Sequence, residues 1–183
     1  MGNCLYLSIK SSNNIDDSDL VNSTYDNTND FSLENLIKYV RIVDIYDGDT
    51  CTCIMKLYNN KYKFHIRLAE IDTCEINSKN IENKNLAFQA RNRLFELITD
   101  INLYKLNQEN ISRKNMKDQL NKKCYLIKLK CGKFDKYGRL LGHLYPINNS
   151  DLSYNQILIK EKLAYYYDGG TKLDETKQYE NLT

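Results

Sequence analysis

The chain has 183 residues, is 42% hydrophobic and carries a net charge of +2. That length suits one domain with tails, and without tryptophan its core has to be packed with Ile, Leu and Tyr. No run approaches the roughly 20 apolar residues of a membrane span. The apolar stretch 4–9 is too short for a secretion signal, and two histidines with no C-x2-C pair argue against structural zinc. The six cysteines read as reduced thiols used as small hydrophobes, with Cys51 and Cys53 two apart on one strand face, as expected of a cytoplasmic protein.

Charge is spread unevenly. Residues 1–35 hold one lysine against six acids, which is −5, so the remaining residues carry +7. A basic body suits a polyanion and equally suits an ordinary soluble protein. Residues 1–35 form an acidic leader, and its polar stretch 11–30 is expected to be disordered. Gly2 beside Cys4 offers positions for a myristoyl and a palmitoyl group, the two chains that stable peripheral membrane attachment needs. Tyr6 departs from the Ser or Thr of the myristoylation pattern.

Beyond the leader, alternating apolar residues predict strands near 39–46 (Val40, Ile42, Val43, Ile45), 50–58 (Thr50, Thr52, Ile54, Leu57) and 61–70 (Tyr62, Phe64, Ile66, Leu68). Asn59-Asn60 signals a hairpin turn. Gly48 is expected at a bend or bulge with positive φ. A helix follows over 84–98, its stripe formed by Leu86, Ala87, Ala90, Leu94, Leu97 and Ile98, with Arg91 and Arg93 off the stripe and solvated. Residues 101–122, rich in Asn and Lys, read as a solvated excursion, a weak helix or a mobile loop. Strands return at 124–131 and 139–145 around a tight turn at Gly138. A last helix spans 153–163, Gly169-Gly170 stops what precedes it, and 171–183 reads as a polar tail.

Three motifs stand out: Asp47-Gly48-Asp49-Thr50, the run from Arg67 through Asp72, Thr73 and Cys74 to Glu75, and Asp135-Lys136-Tyr137-Gly138-Arg139. Taken singly, each has an ordinary reading: turn acids beside a glycine, or a strand arginine paired with Glu70 or Asp72. Together they place carboxylates and arginines at the ends of β-segments. Hard oxygen ligands suit Ca²⁺ or Mg²⁺, and guanidinium forks suit a phosphate. The combination reads as a metal-assisted phosphodiesterase.

In this order the three motifs resemble the staphylococcal-nuclease (thermonuclease-like) family, with the similarity running from about Val40 to Tyr167. The resemblance implies an α+β fold over 36–170: a five-stranded OB-type Greek-key barrel with two or three helices and an insertion at 101–122. It further implies a Ca²⁺-dependent endonuclease on DNA or RNA, with cleavage leaving a 3′-phosphate. Single strands fit best, because a barrel groove with aromatic platforms reads unstacked bases, and the chain is expected to be a monomer. Asp49, Asp72 and the Thr73 carbonyl would hold the metal, Glu75 would activate water, and Arg67 and Arg139 would clamp the phosphate. Tyr137, Lys136 and Tyr166 would contact the nucleotide, the choice between Tyr166 and Tyr167 staying open. Cys74 stands where many members have proline. The alternative is an OB-fold module that binds nucleic acid without cutting it.

Overall fold

A computed structural model describes residues 20–105, 111–148 and 151–183. The readings at Gly2, Cys4 and Tyr6, most of the acidic leader, and residues 106–110 of the excursion lie outside the described residues. The chain divides into a segment through Phe31 and a unit from Ser32 to Thr183. In the first, Thr24 and Asn27 exchange backbone-to-side-chain hydrogen bonds of 2.7 and 3.3 Å, a local turn that is exposed throughout.

Within the second unit, the alternation gives β1 (Ile37–Ile45), β2 (Thr50–Leu57) and β3 (Asn60–Leu68), joined as antiparallel neighbours. After the short β4 (Ile71–Asp72) come helix α1 (Ile81–Thr99), helix α2 (Arg113–Lys122), β5 (Leu126–Phe134) and β6 (Leu140–Tyr145). Helix α3 (Tyr154–Lys160), the short β7 (Tyr165–Tyr166) and helix α4 (Glu175–Leu182) complete the fold. Strands β1, β2, β3, β6 and β5 close a five-stranded barrel in that order, the OB-type α+β fold expected. The closing seam is the parallel pair β3–β6, with Arg67 opposite Leu141, continued where the Ala69 amide donates to the Gly142 carbonyl at 2.9 Å. Inward positions such as Ile42, Cys53, Ile66, Leu129 and Leu144 fill the barrel, and Leu94 and Phe95 of α1 plug it. Cys51 and Cys53 do share the inner face.

Several elements differ from expectation. The hairpin turn centres on Tyr58 and Asn59, φ 46° and 68°, one residue earlier than the Asn59-Asn60 signal, because Leu57 and Asn60 already pair. Four helices form among the described residues, not two or three. Part of the 101–122 excursion is α2, capped by Ser112 and docked on β1 through Met116 and Leu120, both fully buried. Burying those two side chains stabilises the helix by roughly 1.5–3 kcal/mol each, which offsets its otherwise polar composition. Its Arg113 binds Asp44 through two hydrogen bonds of 3.1 and 2.7 Å, so this arginine is a docking residue of the excursion. In the polar tail, Asp174 caps α4, which buries Gln178 and Leu182. Arg91 is buried, donating to the Ile111 carbonyl at 2.9 Å with its guanidinium over the Phe88 ring, whereas Arg93 pairs with Glu161 and Glu96. No helix among the described residues is long and apolar enough to cross a membrane.

Candidate active site

Asp49 enters β2 from a turn stitched to the end of β3: its carbonyl accepts the Leu68 amide at 2.8 Å. Gly48 does not take a positive φ. It is needed for space instead, since a Cβ there would stand 2.6 Å from Ala90 Cβ and 2.9 Å from the Thr73 methyl. The turn is pressed between α1 and the loop after β4, and that contact aims Asp49 inward. Asp49 Oδ2 accepts the Thr73 amide at 3.1 Å and the Thr73 hydroxyl at 3.2 Å, with Arg67 Nη1 also 3.1 Å away. Burial pushes the Asp49 carboxyl well above its ordinary 3.8, Asp47 and Asp72 push it further, and Arg67 and Thr50 only partly offset them.

Arg67, at the end of β3, is 6% exposed and spreads its guanidinium between two anions and two carbonyls. Nη1 donates to Leu68 O and Ile71 O at 3.1 and 2.8 Å, and Nη2 meets Asp72 Oδ1 at 2.5 Å. These bonds fix the fork before any substrate is present. Asp72 is fully buried, and both its oxygens are engaged. Oδ2 accepts the Tyr165 hydroxyl, while Oδ1 also receives Lys172 Nζ at 3.0 Å. The same ammonium reaches Glu75 Oε1 at 2.8 Å. Burial lowers the Lys172 pKa, but Glu75 and Asp72 outweigh it and hold the group above its ordinary 10.5, fully charged.

Glu75 sits on the loop between β4 and α1. Cys74, just before it, is 1% exposed and packs with Ala87, Tyr165 and Leu182. The thiol therefore anchors the loop by packing, with Leu182 of α4 closing over it. Burial, with Asp72 adding to it, pushes that thiol up to about 11, so it remains protonated and inert. Ser78 donates to Glu175 Oε1 at 2.6 Å and Asn83 of α1 to the Glu175 carbonyl at 2.7 Å, tying this loop and the start of α1 to the start of α4.

Across the seam, the expected tight turn forms at Gly138, φ 78°, with Asp135 N donating to Arg139 O at 2.8 Å. Asp135 organises it: Oδ1 accepts the amides of Tyr137 and Arg139, and Oδ2 takes Arg139 Nε at 2.7 Å. Burial raises the Asp135 carboxyl, but the bonds from Arg139 and Tyr137 outweigh this and hold it below its ordinary 3.8. The Tyr137 ring is 72% exposed, with the Arg139 and Lys136 cations 5.5 and 5.2 Å from its centroid.

Asp49, Thr73, Glu75, Arg67 and Arg139 line one pocket of about 220 Å³, together with Tyr46, Asp47, Thr50 and Lys172. Asp72 lies behind it, reached through Arg67 and Lys172. A groove of about 740 Å³ runs on from Arg67 and Arg139 past Lys136, Tyr137, Tyr166 and Tyr167. Tyr166 is the exposed one of the β7 pair, with Tyr165 turned inward to Asp72 and the Tyr167 ring 6.0 Å from the Arg67 cation. Sequence reasoning missed Lys172, Tyr165 and the orienting role of Asp135. Tyr165 is one of three consecutive tyrosines and nothing in the sequence separates it from its neighbours; for Lys172, 97 residues from Glu75, there was no signal either.

Two guanidiniums and three carboxylates thus converge at one end of a small barrel, beside an aromatic groove. Residues 65–183 match the family described as staphylococcal nuclease homologue, and the chain belongs to that family. No curated protein matches the chain. The match begins after Asp47-Gly48-Asp49-Thr50, yet that turn is bonded to Leu68 and Thr73 inside the matched region. Membership supports a nuclease-like or nucleic-acid-binding role; the family is generally one of nuclease hydrolases that use Ca²⁺. The donor set fits such an ion in kind, since Asp49, Asp72 and the Thr73 carbonyl offer only oxygen. Among the described residues no group of three or more His, Cys, Asp or Glu forms a metal cage, so carbonyl and water would have to complete the shell.

Proposed function

We infer that this chain is a Ca²⁺-dependent endonuclease that hydrolyses phosphodiester bonds of single-stranded DNA or RNA. The observation carrying this reading is the single pocket that gathers Asp49, Thr73, Glu75, Arg67 and Arg139. A phosphodiester anion repels a hydroxide-like nucleophile, so its charge must be met before water attacks in line. Arg67 and Arg139 meet it on the non-bridging oxygens, with Arg67 held by Leu68 and Ile71 and Arg139 by Asp135. Glu75 accepts the proton of the attacking water. Asp49, Asp72 and the Thr73 carbonyl would hold the cation, which would supply further charge neutralisation at the phosphate. Tyr137 and Tyr166, both exposed in the groove, offer ring faces to unstacked bases, worth roughly 1–3 kcal/mol each, with Lys136 beside the backbone.

The experiment is cleavage of single-stranded DNA and RNA in Ca²⁺, Mg²⁺ or EDTA, beside Glu75→Gln. The expected result is Ca²⁺-dependent cutting whose kcat falls by roughly 10²–10⁴-fold in the variant. The non-cleaving module is the second reading. It is favoured by the engagement of both Asp72 oxygens and of Glu75 Oε1 with protein groups. Tight binding of either strand with no cutting in any metal would establish it instead.

A further inference from the structure

The Lys172 ammonium lies 3.0 Å from Asp72 Oδ1 and 2.8 Å from Glu75 Oε1, bridging the deeper carboxylate of the site to the one at its mouth. Its backbone is fixed on both sides. Before it, Gly169 turns the chain at φ 94°, Gly170 N bonds Asp168 at 2.9 Å, and Tyr167 donates to Gly170 O at 2.7 Å. After it, the Leu173 carbonyl accepts Gln178 at 2.9 Å and Asp174 caps α4. The side chain is thus delivered to the carboxylates by a built loop.

We propose that Lys172 is a positioning residue of the active site. Its tethered ammonium holds Asp72 and Glu75 together before a divalent cation arrives, and it must release Asp72 when the cation binds. This rests on the nuclease reading above and concerns how that site sets its affinity for the ion. Asp72 Oδ1 already carries Arg67 Nη2 at 2.5 Å and Lys172 Nζ at 3.0 Å, and a divalent ion would bring a third positive centre to the same carboxylate. Arg67 is pinned by the Leu68 and Ile71 carbonyls, so the lysine is the group that leaves. Lys172 therefore opposes the ion, and metal occupancy and the Lys172–Asp72 contact exclude each other. Glu75 keeps its partner throughout, because Lys172 can pivot about that contact.

The test is Ca²⁺ binding to the full chain by titration calorimetry without nucleic acid, for wild type, Lys172→Met and Lys172→Arg, with Asp49→Asn marking the site. Lys172→Met is expected to bind Ca²⁺ more tightly, on the order of tenfold, and Lys172→Arg to stay near wild type. An unchanged or weaker affinity in Lys172→Met, with binding still lost in Asp49→Asn, overturns the inference while leaving the nuclease reading intact. Absence of both Ca²⁺ binding and cleavage in wild type overturns the two together. A second measurement needs no substitution in the protein observed: the ¹³Cε resonance of Lys172, assigned from its loss in Lys172→Arg, should shift as Ca²⁺ is added to wild type. A resonance that stays in place while calorimetry shows binding also refutes the exchange.

Discussion

Replacing Gly48 by alanine adds one methyl group at the point where the Asp49 turn touches α1. The new Cβ would lie 2.6 Å from Ala90 Cβ and 2.9 Å from the Thr73 methyl, and ordinary contact begins at 3.4 Å. The gap to Ala90 must therefore open by 0.8 Å, the difference between 3.4 and 2.6 Å. Neither neighbour can swing aside: one methyl is fixed to a buried helix, and the other belongs to the residue that bonds Asp49. Overpacking of this kind costs about 1–3 kcal/mol, a Tm loss on the order of 5 °C for a chain of this size. The turn is the softer partner, so most of the displacement falls on Asp49 and Thr73. Since a misplacement of about 1 Å removes roughly 100-fold of rate, cleavage should fall by about tenfold or more. Differential scanning calorimetry and kcat at saturating Ca²⁺ measure the two effects. Adding Ala90→Gly opens the closer contact and should restore activity more than stability, because glycine within a helix itself costs roughly 0.5–1 kcal/mol. A Gly48→Ala protein within about 1 °C of wild type in Tm and about twofold in kcat would refute the claim that close approach, not backbone φ, keeps glycine here.

Further outcomes follow from the same contacts. Asp44→Asn should lower the urea-unfolding free energy by about 1–2 kcal/mol at neutral pH, a figure discounted because Arg113 is partly exposed. Burial raises the Asp44 carboxyl, but Arg113 and Lys117 outweigh it and hold it below 3.8. Its contribution is therefore complete above about pH 4 and lost as the pH falls through the lower folded value, so wild type and variant should converge in acid. Leu182→Ala removes the cap over Cys74 and should cost roughly 2 kcal/mol. Hydrogen exchange should speed at the Glu75 loop before it speeds in the barrel strands, and equal acceleration in both would contradict the bracing role of α4.

Five strands, α1 and the three charged motifs were legible because each is a local signal: alternation, a helical stripe, or charges beside a glycine. The β3 pattern Tyr62, Phe64, Ile66, Leu68 needs no partner to be read. What escaped notice depends on contacts between distant segments. Helices α2 and α4 carry only two strongly buried residues each, so their apolar stripe is faint, although Ser112 and Asp174 stood as caps at their starts. Gly48 suggests backbone freedom in the sequence, and only the approach of Ala90 from α1 reveals that space is what requires glycine there. Arg91 looked solvated because its acceptor, the Ile111 carbonyl, lies in the excursion. A lysine in a polar tail is ordinarily solvated, and nothing near Lys172 in sequence says that its tail folds back to Asp72.

The parallel seam between β3 and β6 has a consequence for timing. Arg67 ends one of these strands and Arg139 immediately precedes the other, so the clamp exists only once the barrel has closed. Parallel pairing of distant segments is late and slow in folding, because loop entropy is lost before the contacts form. A partly folded chain can hold its β1–β2–β3 meander, α1 and the β5–β6 hairpin while the two guanidiniums remain apart. In the nuclease proposed here, such a chain binds polyanions by charge and cuts nothing. Its chemistry stays switched off until the final seam is zipped.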